Sequence, residues 1–364
     1  MNKNYEHNYA LFENNYLSSN DVLIVPTTGI VASRKEINLD LDTFIYSSPM
    51  DTVASNDLFF SMLSTNQSVL SCRFSSIEDR LSQLETFSNN PKYWFSVGAN
   101  INDLNILKEW ISKTNPKLKI NISVDVAHGD TIHLHEIYRK YKAEPWCKNL
   151  MSGTVATPTS AIKCHKAGCN YIRVGIGPGS ACSTRIVTGC GVPNLSAVFN
   201  VWDAFSYLEN TDKPKVIADG GIKNSGDIAK YLAAGADGVM LGNLLSKTKE
   251  SGGWKINKLK FLLYLLTLGF FFKDYVYKCY RGQASSEFQI ETRGKVSGAP
   301  EGVQAPPQKP QYDYESFYDN IVGALQSTLS YTGLKELHQL NPKNVRLIKI
   351  TDNALRESKP HILL

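Results

Sequence analysis

Short apolar strands alternate with helices along most of the chain, and this alternation restricts the possible folds more than any other feature. Six runs are rich in β-branched residues: YWFSVGA, KINISVDVA, NLMSGTVAT, YIRVGIG, KVIADGG and GVMLGNLL. Helical patterns such as TPTSAIKCHKAG and NSGDIAKYLAAGAD separate them. Such alternation implies parallel strands, and this many units favours a closed (β/α)₈ barrel over an open sheet. We therefore predict an α/β fold, a single TIM barrel over residues 1–364.

Charge and cysteine content restrict the partners and the compartment. The net charge is +5, and Lys and Arg are scattered, so the sequence does not indicate a nucleic-acid groove. The seven cysteines form an odd set without a CxxC pair, and the N-terminus is polar. This pattern predicts a reduced, cytoplasmic chain.

Two segments interrupt the barrel pattern. The apolar run LKFLLYLLTLGFFF lies within an apparent insertion at about 257–272, and it is shorter than the ~20 residues that span a membrane. We expect it to be buried against the barrel or a neighbouring subunit, with contact to a membrane surface as the less favoured alternative. A stretch rich in Gly, Ser, Pro and Gln at about 283–311 predicts a long mobile loop that acts as a flap.

Glycine-rich turns follow three successive strands. GIGPGS precedes Cys182, ADGG ends the next strand, and MLGN ends the one after. The active sites of barrel enzymes lie at the carboxyl ends of the strands, so we expect these turns to belong to one site. Their backbone amides can bind an anion, or their carbonyls can turn toward a cation. From these residues alone, Cys182 is equally compatible with a nucleophile and with a small core residue.

The stretch GIGPGSACSTRIVTGCGVPNLSAV resembles the catalytic loop shared by IMP dehydrogenase and GMP reductase, in which a cysteine attacks C2 of a purine nucleotide. SSPMDTV, VDVAHGD, IADGGIKNSGDIAKYLAAGAD and LQSTLSYTGL resemble further motifs of that family. The resemblance to this family covers nearly the whole chain. The resemblance implies a homotetramer that binds a purine mononucleotide, and it implies no regulatory module within the barrel.

The resemblance also implies a role for individual residues. The catalytic residues would be Cys182, Thr184 and Glu301. The nucleotide would contact Ser48, Met50, Ser180, Asp219, Gly220, Gly221, Gly242, Asn243, Tyr280, Gly282, Gln283, Ala284, Ser285 and Gly302. The nicotinamide cofactor would face Asp125, Val126, Ala127, Thr154, Ile176 and Gly177. Arg73 is a candidate for the 2′-phosphate of NADPH, with a solvated surface charge as the alternative. Gly177, Gly179, Cys182 and Arg185 would surround a potassium ion.

The flap residues bear on the direction of the reaction. Dehydrogenases of this family carry an Arg-Tyr pair that activates water, whereas here Arg293 is followed by Gly294 and no tyrosine lies between residues 283 and 311. ASSEFQ and CRFSS also resemble GMP reductases. We therefore expect an NADPH-dependent GMP reductase that releases IMP and ammonia. NAD-dependent IMP dehydrogenase is the alternative, since YRG, IVTGCGVP and PEGV resemble that enzyme, and a catalytically silent nucleotide-binding barrel is the third reading.

Three positions depart from the pattern of both enzymes. Gln283 stands where methionine is usual, Asn243 where glycine is frequent, and Thr154 where asparagine commonly touches the nicotinamide. A modified purine nucleotide therefore remains a further possible substrate.

Overall fold

Eight parallel strands form the centre of the computed structural model, which describes residues 3–39, 42–209, 211–256, 258–266 and 276–358. The sheet order is β2-β9-β8-β7-β6-β5-β4-β3. Tyr46 in β2 and Ser68 beside β3 form a parallel bridge that brings the two ends of the sheet together. The barrel strands are β2 Ile45–Ser47, β3 Val69–Leu70, β4 Tyr93–Val97, β5 Ile120–Val124, β6 Cys147–Met151, β7 Tyr171–Val174, β8 Lys215–Asp219 and β9 Gly238–Leu241.

Helices connect these strands and surround them. Side-chain caps fix several of the helix starts: Thr157 accepts from the Ser160 amide at 3.2 Å, and Asn224 accepts from the Asp227 amide at 2.9 Å. The helices are α1 Lys3–Glu13, α2 Asn56–Ser64, α3 Ile77–Phe87, α4 Asn102–Thr114, α5 Ile132–Ala143, α6 Pro158–Lys166, α7 Thr184–Thr188, α8 Asn194–Phe205, α9 Ser225–Ala233, α10 Asn243–Ser246, α11 Lys258–Leu266, α12 Ser286–Arg293, α13 Tyr314–Tyr331 and α14 Asp352–Glu357.

The core has two layers, as a closed barrel requires. A small inner cluster fills the barrel, and it consists of Tyr46, Leu70, Trp94, Met151, Ile217 and Met240. A much larger cluster packs the outer faces of the strands against the helices. Burial on both faces explains why the strand sequences are almost continuously apolar.

Two small antiparallel sheets accompany the barrel. β1 Val22–Ile24 pairs with β12 Leu347–Lys349, so two segments more than 300 residues apart in sequence lie together. β10 Trp254–Ile256 pairs with β11 Val276–Lys278. Helix α11 belongs to the segment that connects β10 to β11, so we call β10, α11 and β11 the insertion hairpin.

The (β/α)₈ prediction is confirmed. The structure also describes parts of the flap and of the insertion. The flap contains α12, because Ser285 caps its start, buried Phe288 anchors it, and Gly294 ends it with φ +73°. In the insertion, residues 257 and 267–272 lie outside the described residues. Leu262, Leu265 and Leu266 are exposed, so this part of α11 is not buried against the barrel. Among the described residues, no helix is long and apolar enough to cross a bilayer.

Candidate active site

The carboxyl ends of the barrel strands surround one cavity of about 360 Å³. Loops after β2, β3, β5, β6, β7, β8 and β9 contribute to its wall, and the flap covers one side. Such convergence follows from parallel strands in a closed barrel, where all carboxyl ends meet at one rim.

The loop after β7 passes close to the end of β8. A Cβ atom on Gly175 would lie 2.0 Å from the carbonyl oxygen of Asp219, so only glycine fits there. A Cβ atom on Gly220 would lie 3.0 Å from the Gly179 amide nitrogen, and the φ of Gly220 is +82°. The glycines thus allow the carboxyl ends of β7 and β8 to approach each other. This approach brings Asp219 beside the loop that contains Cys182, which we call the cysteine loop.

Cys182, Thr184 and Glu301 form a continuous hydrogen-bonded chain. The Cys182 thiol donates to Thr184 Oγ1 at 3.1 Å, and the Thr184 hydroxyl donates to Glu301 Oε2 at 2.8 Å. Cys182 is exposed, whereas the other two residues are partly buried. The order of donors and acceptors lets the thiol proton move toward a carboxylate, which is what an activated nucleophile requires.

Backbone pairing holds Glu301 against the cysteine loop. The Ser183 amide donates to the Glu301 carbonyl at 2.9 Å, and Cys182 and Gly302 form an antiparallel bridge. On the other side, the Glu301 amide donates to the Ala284 carbonyl at 3.2 Å. The segment around Glu301 is therefore fixed between the cysteine loop and the start of the flap, 117 residues away in sequence from Thr184.

Hydroxyl side chains and a glycine lie close together in a second corner of the cavity. The Ser180 hydroxyl donates to the Tyr280 hydroxyl at 3.2 Å. A Cβ atom on Gly242 would lie 3.1 Å from the same Tyr280 oxygen, so the chain passes very near it. Burial raises the pKa of Tyr280, so its hydroxyl stays protonated and can donate to an anion.

Arg173 links two of the carboxylates of the cavity, Asp125 and Asp219, and was missed by the sequence analysis. Its guanidinium donates to Asp125 Oδ1 at 3.1 Å and to Asp219 Oδ2 at 2.8 and 3.2 Å. Burial alone would lower the pKa of Arg173, but the charges of Asp219 and Asp125 raise it. Arg73 donates to the second oxygen of Asp125 at 3.2 Å. A charged residue inside the buried strand YIRV was the signal that could have identified Arg173.

Ionic contacts also fix the start of the flap to the barrel. Arg281 donates to Asp51 at 2.7 Å and to Glu291 of α12 at 2.5 Å. Glu291 also accepts from Lys255 at 2.8 Å, and hydrogen bonds from Arg281 and Lys255 lower the pKa of Glu291 to about 2. Gln283 donates to the Pro49 carbonyl at 2.7 Å. The flap helix is therefore attached at its base in this structure.

The cavity wall contains most of the residues that the sequence predicted. They are Ser48, Met50, Arg73, Asp125, Val126, Ala127, Thr154, Ile176, Gly177, Gly179, Cys182, Thr184, Asp219, Gly220, Gly242, Tyr280, Gly282, Gln283, Ala284 and Glu301. Ser180, Arg185, Gly221, Asn243, Ser285 and Gly302 are near these residues in sequence but do not line the cavity. Phe74, Arg173, Gln289 and Arg293 line it without having been predicted.

The residues predicted to hold potassium lie in one loop. The Gly179 carbonyl accepts the Cys182 amide at 3.0 Å, and the Arg185 guanidinium donates to the carbonyls of Ile176 at 2.9 Å and Val192 at 2.5 Å. Backbone oxygens suit a hard cation, although the Arg185 side chain already places a positive charge beside them. Within the described part of the chain, no group of three or more His, Cys, Asp or Glu side chains could hold a metal ion.

Comparisons with known proteins identify the family of the chain. A family model described as "IMP dehydrogenase / GMP reductase domain" matches residues 10–361. Inosine-5′-monophosphate dehydrogenase of Chlorobaculum parvum is 37% identical over 253 residues, 66% of this chain and 47% of the relative. The enzymes of the same name from Methanocaldococcus jannaschii and Borreliella burgdorferi are 36% and 33% identical, covering 67% and 78% of this chain. The chain spans 49% and 67% of those two relatives.

Proposed function

The chain belongs to the IMP dehydrogenase / GMP reductase family, a family of oxidoreductases, and on that premise we propose that it is a GMP reductase. The reaction converts GMP to IMP and ammonia with NADPH as the hydride donor. The observation that carries the proposal is the hydrogen-bonded chain Cys182–Thr184–Glu301 at the cavity wall. The flap supports the reductive direction, because it has no tyrosine between residues 283 and 311 and Arg293 is followed by Gly294.

Cys182 acts as the nucleophile toward purine C2. As its sulfur adds to C2, the thiol proton passes to the Thr184 hydroxyl oxygen, and the Thr184 proton passes to Glu301. The distances of 3.1 and 2.8 Å are suitable for this transfer. The result is a covalent adduct and a protonated Glu301.

Glu301 then returns a proton to the departing amine. A neutral ammonia leaves far more easily than an amide anion, so this transfer lowers the barrier to loss of nitrogen. Nicotinamide supplies the hydride that reduces C2 when the cofactor is bound. Cys182 then leaves C2 as a thiolate, which completes the formation of IMP, and the thiolate takes up a proton from solvent to restore the thiol.

The remaining groups bind and orient the two substrates. Asp219, held by Arg173, accepts from the ribose hydroxyls. Ser180, Gly220, Gly221, Gly242, Asn243 and Tyr280 surround the 5′-phosphate. Asp125, Val126, Ala127, Thr154 and Ile176 would face the nicotinamide, and Arg73, which also donates to Asp125, would meet the 2′-phosphate of NADPH. Carbonyls of Gly177, Gly179 and Cys182 would hold potassium.

We further propose a single catalytic barrel that assembles as a cytoplasmic homotetramer, as the family resemblance implies. The flap at about 283–311 covers the bound nucleotide during the reaction. Light scattering of the purified chain tests the assembly state.

NAD-dependent IMP dehydrogenase is the second candidate, because the relatives in the comparison carry that name. In that reaction water must attack the adduct, which requires a base that the flap sequence does not provide at the expected place. Absorbance at the wavelength of reduced nicotinamide distinguishes the candidates. Loss of NADPH with GMP supports the reductase, and formation of NADH with IMP supports the dehydrogenase. Tight nucleotide binding with neither reaction supports a silent barrel.

A further inference from the structure

We propose that a second cavity, at the amino ends of the barrel strands, binds the phosphate group of a small molecule. This amino-end cavity has a volume of about 390 Å³, within the roughly 300–1,000 Å³ that small-molecule sites occupy. Its wall includes Lys215 at the start of β8 and Asp237 directly before β9. The candidate active site lies at the carboxyl ends of the same strands, so the two cavities lie at opposite ends of the barrel. Binding at the amino end therefore does not depend on the direction of the reaction.

Three lysines contribute to the wall of the amino-end cavity: Lys213, Lys215 and Lys343. Asp237 accepts from the Lys215 ammonium at 2.7 Å and from the Val216 amide at 2.9 Å, so its two oxygens are engaged at the start of β8. Among the residues that the structure describes, no carboxylate forms an ion pair with Lys213 or Lys343. Two ammonium groups therefore remain for an anion.

The three ammonium groups are near enough to repel one another. Burial lowers the pKa of Lys213, and the charges of Lys343 and Lys215 lower it further, against the opposing charge of Asp237. Burial would also lower the pKa of Lys215, but Asp237 raises it. One carboxylate thus faces three cations. An anion that binds among them relieves the repulsion and favours their charged forms.

Trp202 supports the side chain of Lys213. The Lys213 ammonium lies 5.2 Å from the centroid of the Trp202 ring, and Trp202 itself is buried. A Cβ atom on Gly235 would lie 2.2 Å from Cγ of the same ring, and the φ of Gly235 is +102°, so the chain after α9 packs directly against the indole. The ammonium is therefore held on a packed wall, which reduces the entropy cost of binding a ligand.

Other charged groups of the wall indicate what the rest of the ligand contains. Asp42 and His338 also line the cavity, and His338 pairs with Glu336 at 3.2 Å. Burial raises the pKa of Asp42, and the charges that act on it are those of His338 and Glu336 rather than those of the lysines. The cavity therefore has a basic side and a side with a carboxyl group. Phosphate suits the first, and hydroxyl groups that donate to Asp42 suit the second, so a small sugar phosphate combines both requirements.

Titration calorimetry of the full chain with ribose 5-phosphate tests the proposal. We expect binding that persists when GMP or IMP occupies the candidate active site, because the two cavities are separate. Lys213→Met/Lys343→Met should weaken the affinity at least about tenfold, since it removes charge-assisted hydrogen bonds to phosphate. The matched control Lys117→Met/Lys166→Met removes two exposed lysines elsewhere and should bind as the wild type does.

Two simpler ligands separate the contributions of the phosphate and the sugar. Inorganic phosphate should bind at the same lysines, whereas ribose without phosphate should not bind. Tighter binding of ribose 5-phosphate than of inorganic phosphate identifies a phosphate ester as the ligand, and equal affinities identify free phosphate. Binding of ribose as tight as that of ribose 5-phosphate contradicts a phosphate site.

The fluorescence of Trp202 reports whether the ligand enters this cavity. Because Lys213 lies over its ring, binding should change the tryptophan emission of the wild type. Trp202→Phe should lose that change but keep the affinity, since phenylalanine still supports Lys213. Circular dichroism verifies that each variant is folded. Absence of binding by the wild type, displacement of the ligand by GMP or IMP, or unchanged affinity in folded Lys213→Met/Lys343→Met overturns the proposal.

Discussion

Arg173→Met tests whether one buried cation organises both halves of the cavity. The wild-type guanidinium makes three charge-assisted hydrogen bonds of 2.8–3.2 Å to Asp125 and Asp219. These carboxylates are only 9% and 17% exposed, so methionine leaves them largely buried without this partner. Loss of one partner of a buried ion pair costs about 3–5 kcal/mol of the free energy of unfolding. GMP affinity should also fall about tenfold or more, because Asp219 loses the group that orients it.

Arg80→Met is the matched control. Arg80 is equally buried and donates to Asp103 at 3.1 Å and to the Ser96 carbonyl at 2.7 Å, but it does not line the cavity. Chemical denaturation should show a similar loss of stability in both variants, while titration calorimetry should show weaker GMP binding only for Arg173→Met. Equal GMP affinity in the two variants would refute the reasoning.

The remaining predictions concern the proton relay, the flap base and the glycine loop. Glu301→Gln should lower turnover about 10²–10⁴-fold in steady-state assays while GMP affinity is kept, whereas Glu287→Gln on the exposed side of the flap should change neither. The folded-state pKa of Glu291 is about 2, below its ordinary 4.5, so its contribution to stability is present above pH 4.5 and is lost as pH falls toward 2. The difference in free energy of unfolding between wild type and Glu291→Gln should therefore be present at pH 7 and vanish near pH 2; a constant difference contradicts this. Gly175→Ala should destabilise the protein by at least about 1–3 kcal/mol in thermal unfolding, since its Cβ would meet the Asp219 carbonyl at 2.0 Å. Gly323→Ala in α13, where a Cβ meets nothing within 4 Å, should stabilise it by up to about 1 kcal/mol.

Local sequence patterns predicted the barrel and the loops at its rim. The apolar runs around β4 to β9 are buried on both faces, so their composition alone identifies them. Because the strand ends of a barrel converge, the loops containing Cys182 and Asp219 could be placed in one site before their distances were known.

Features that depend on contacts between distant segments could not be predicted in the same way. The Thr184–Glu301 hydrogen bond joins residues 117 positions apart, and only the family resemblance suggested it. Helix α12 lies in a segment whose composition is typical of a loop, and it depends on a Ser285 cap and on Phe288 packing against Phe74. Leu262, Leu265 and Leu266 are exposed on the single chain, so they do not pack against the barrel, and burial against a neighbouring subunit stays a prediction, because apolar composition does not specify which surface covers a segment.

Intact-mass spectrometry of the denatured protein during turnover tests the central claim most directly. With GMP and NADPH present, we expect a fraction of the chain to gain the mass of the purine nucleotide adduct, less the ammonia that has left. Cys182→Ala should show no such species and no turnover, although it still binds GMP. Steady turnover by Cys182→Ala, or a wild-type adduct that peptide mapping places on another residue, would contradict the account.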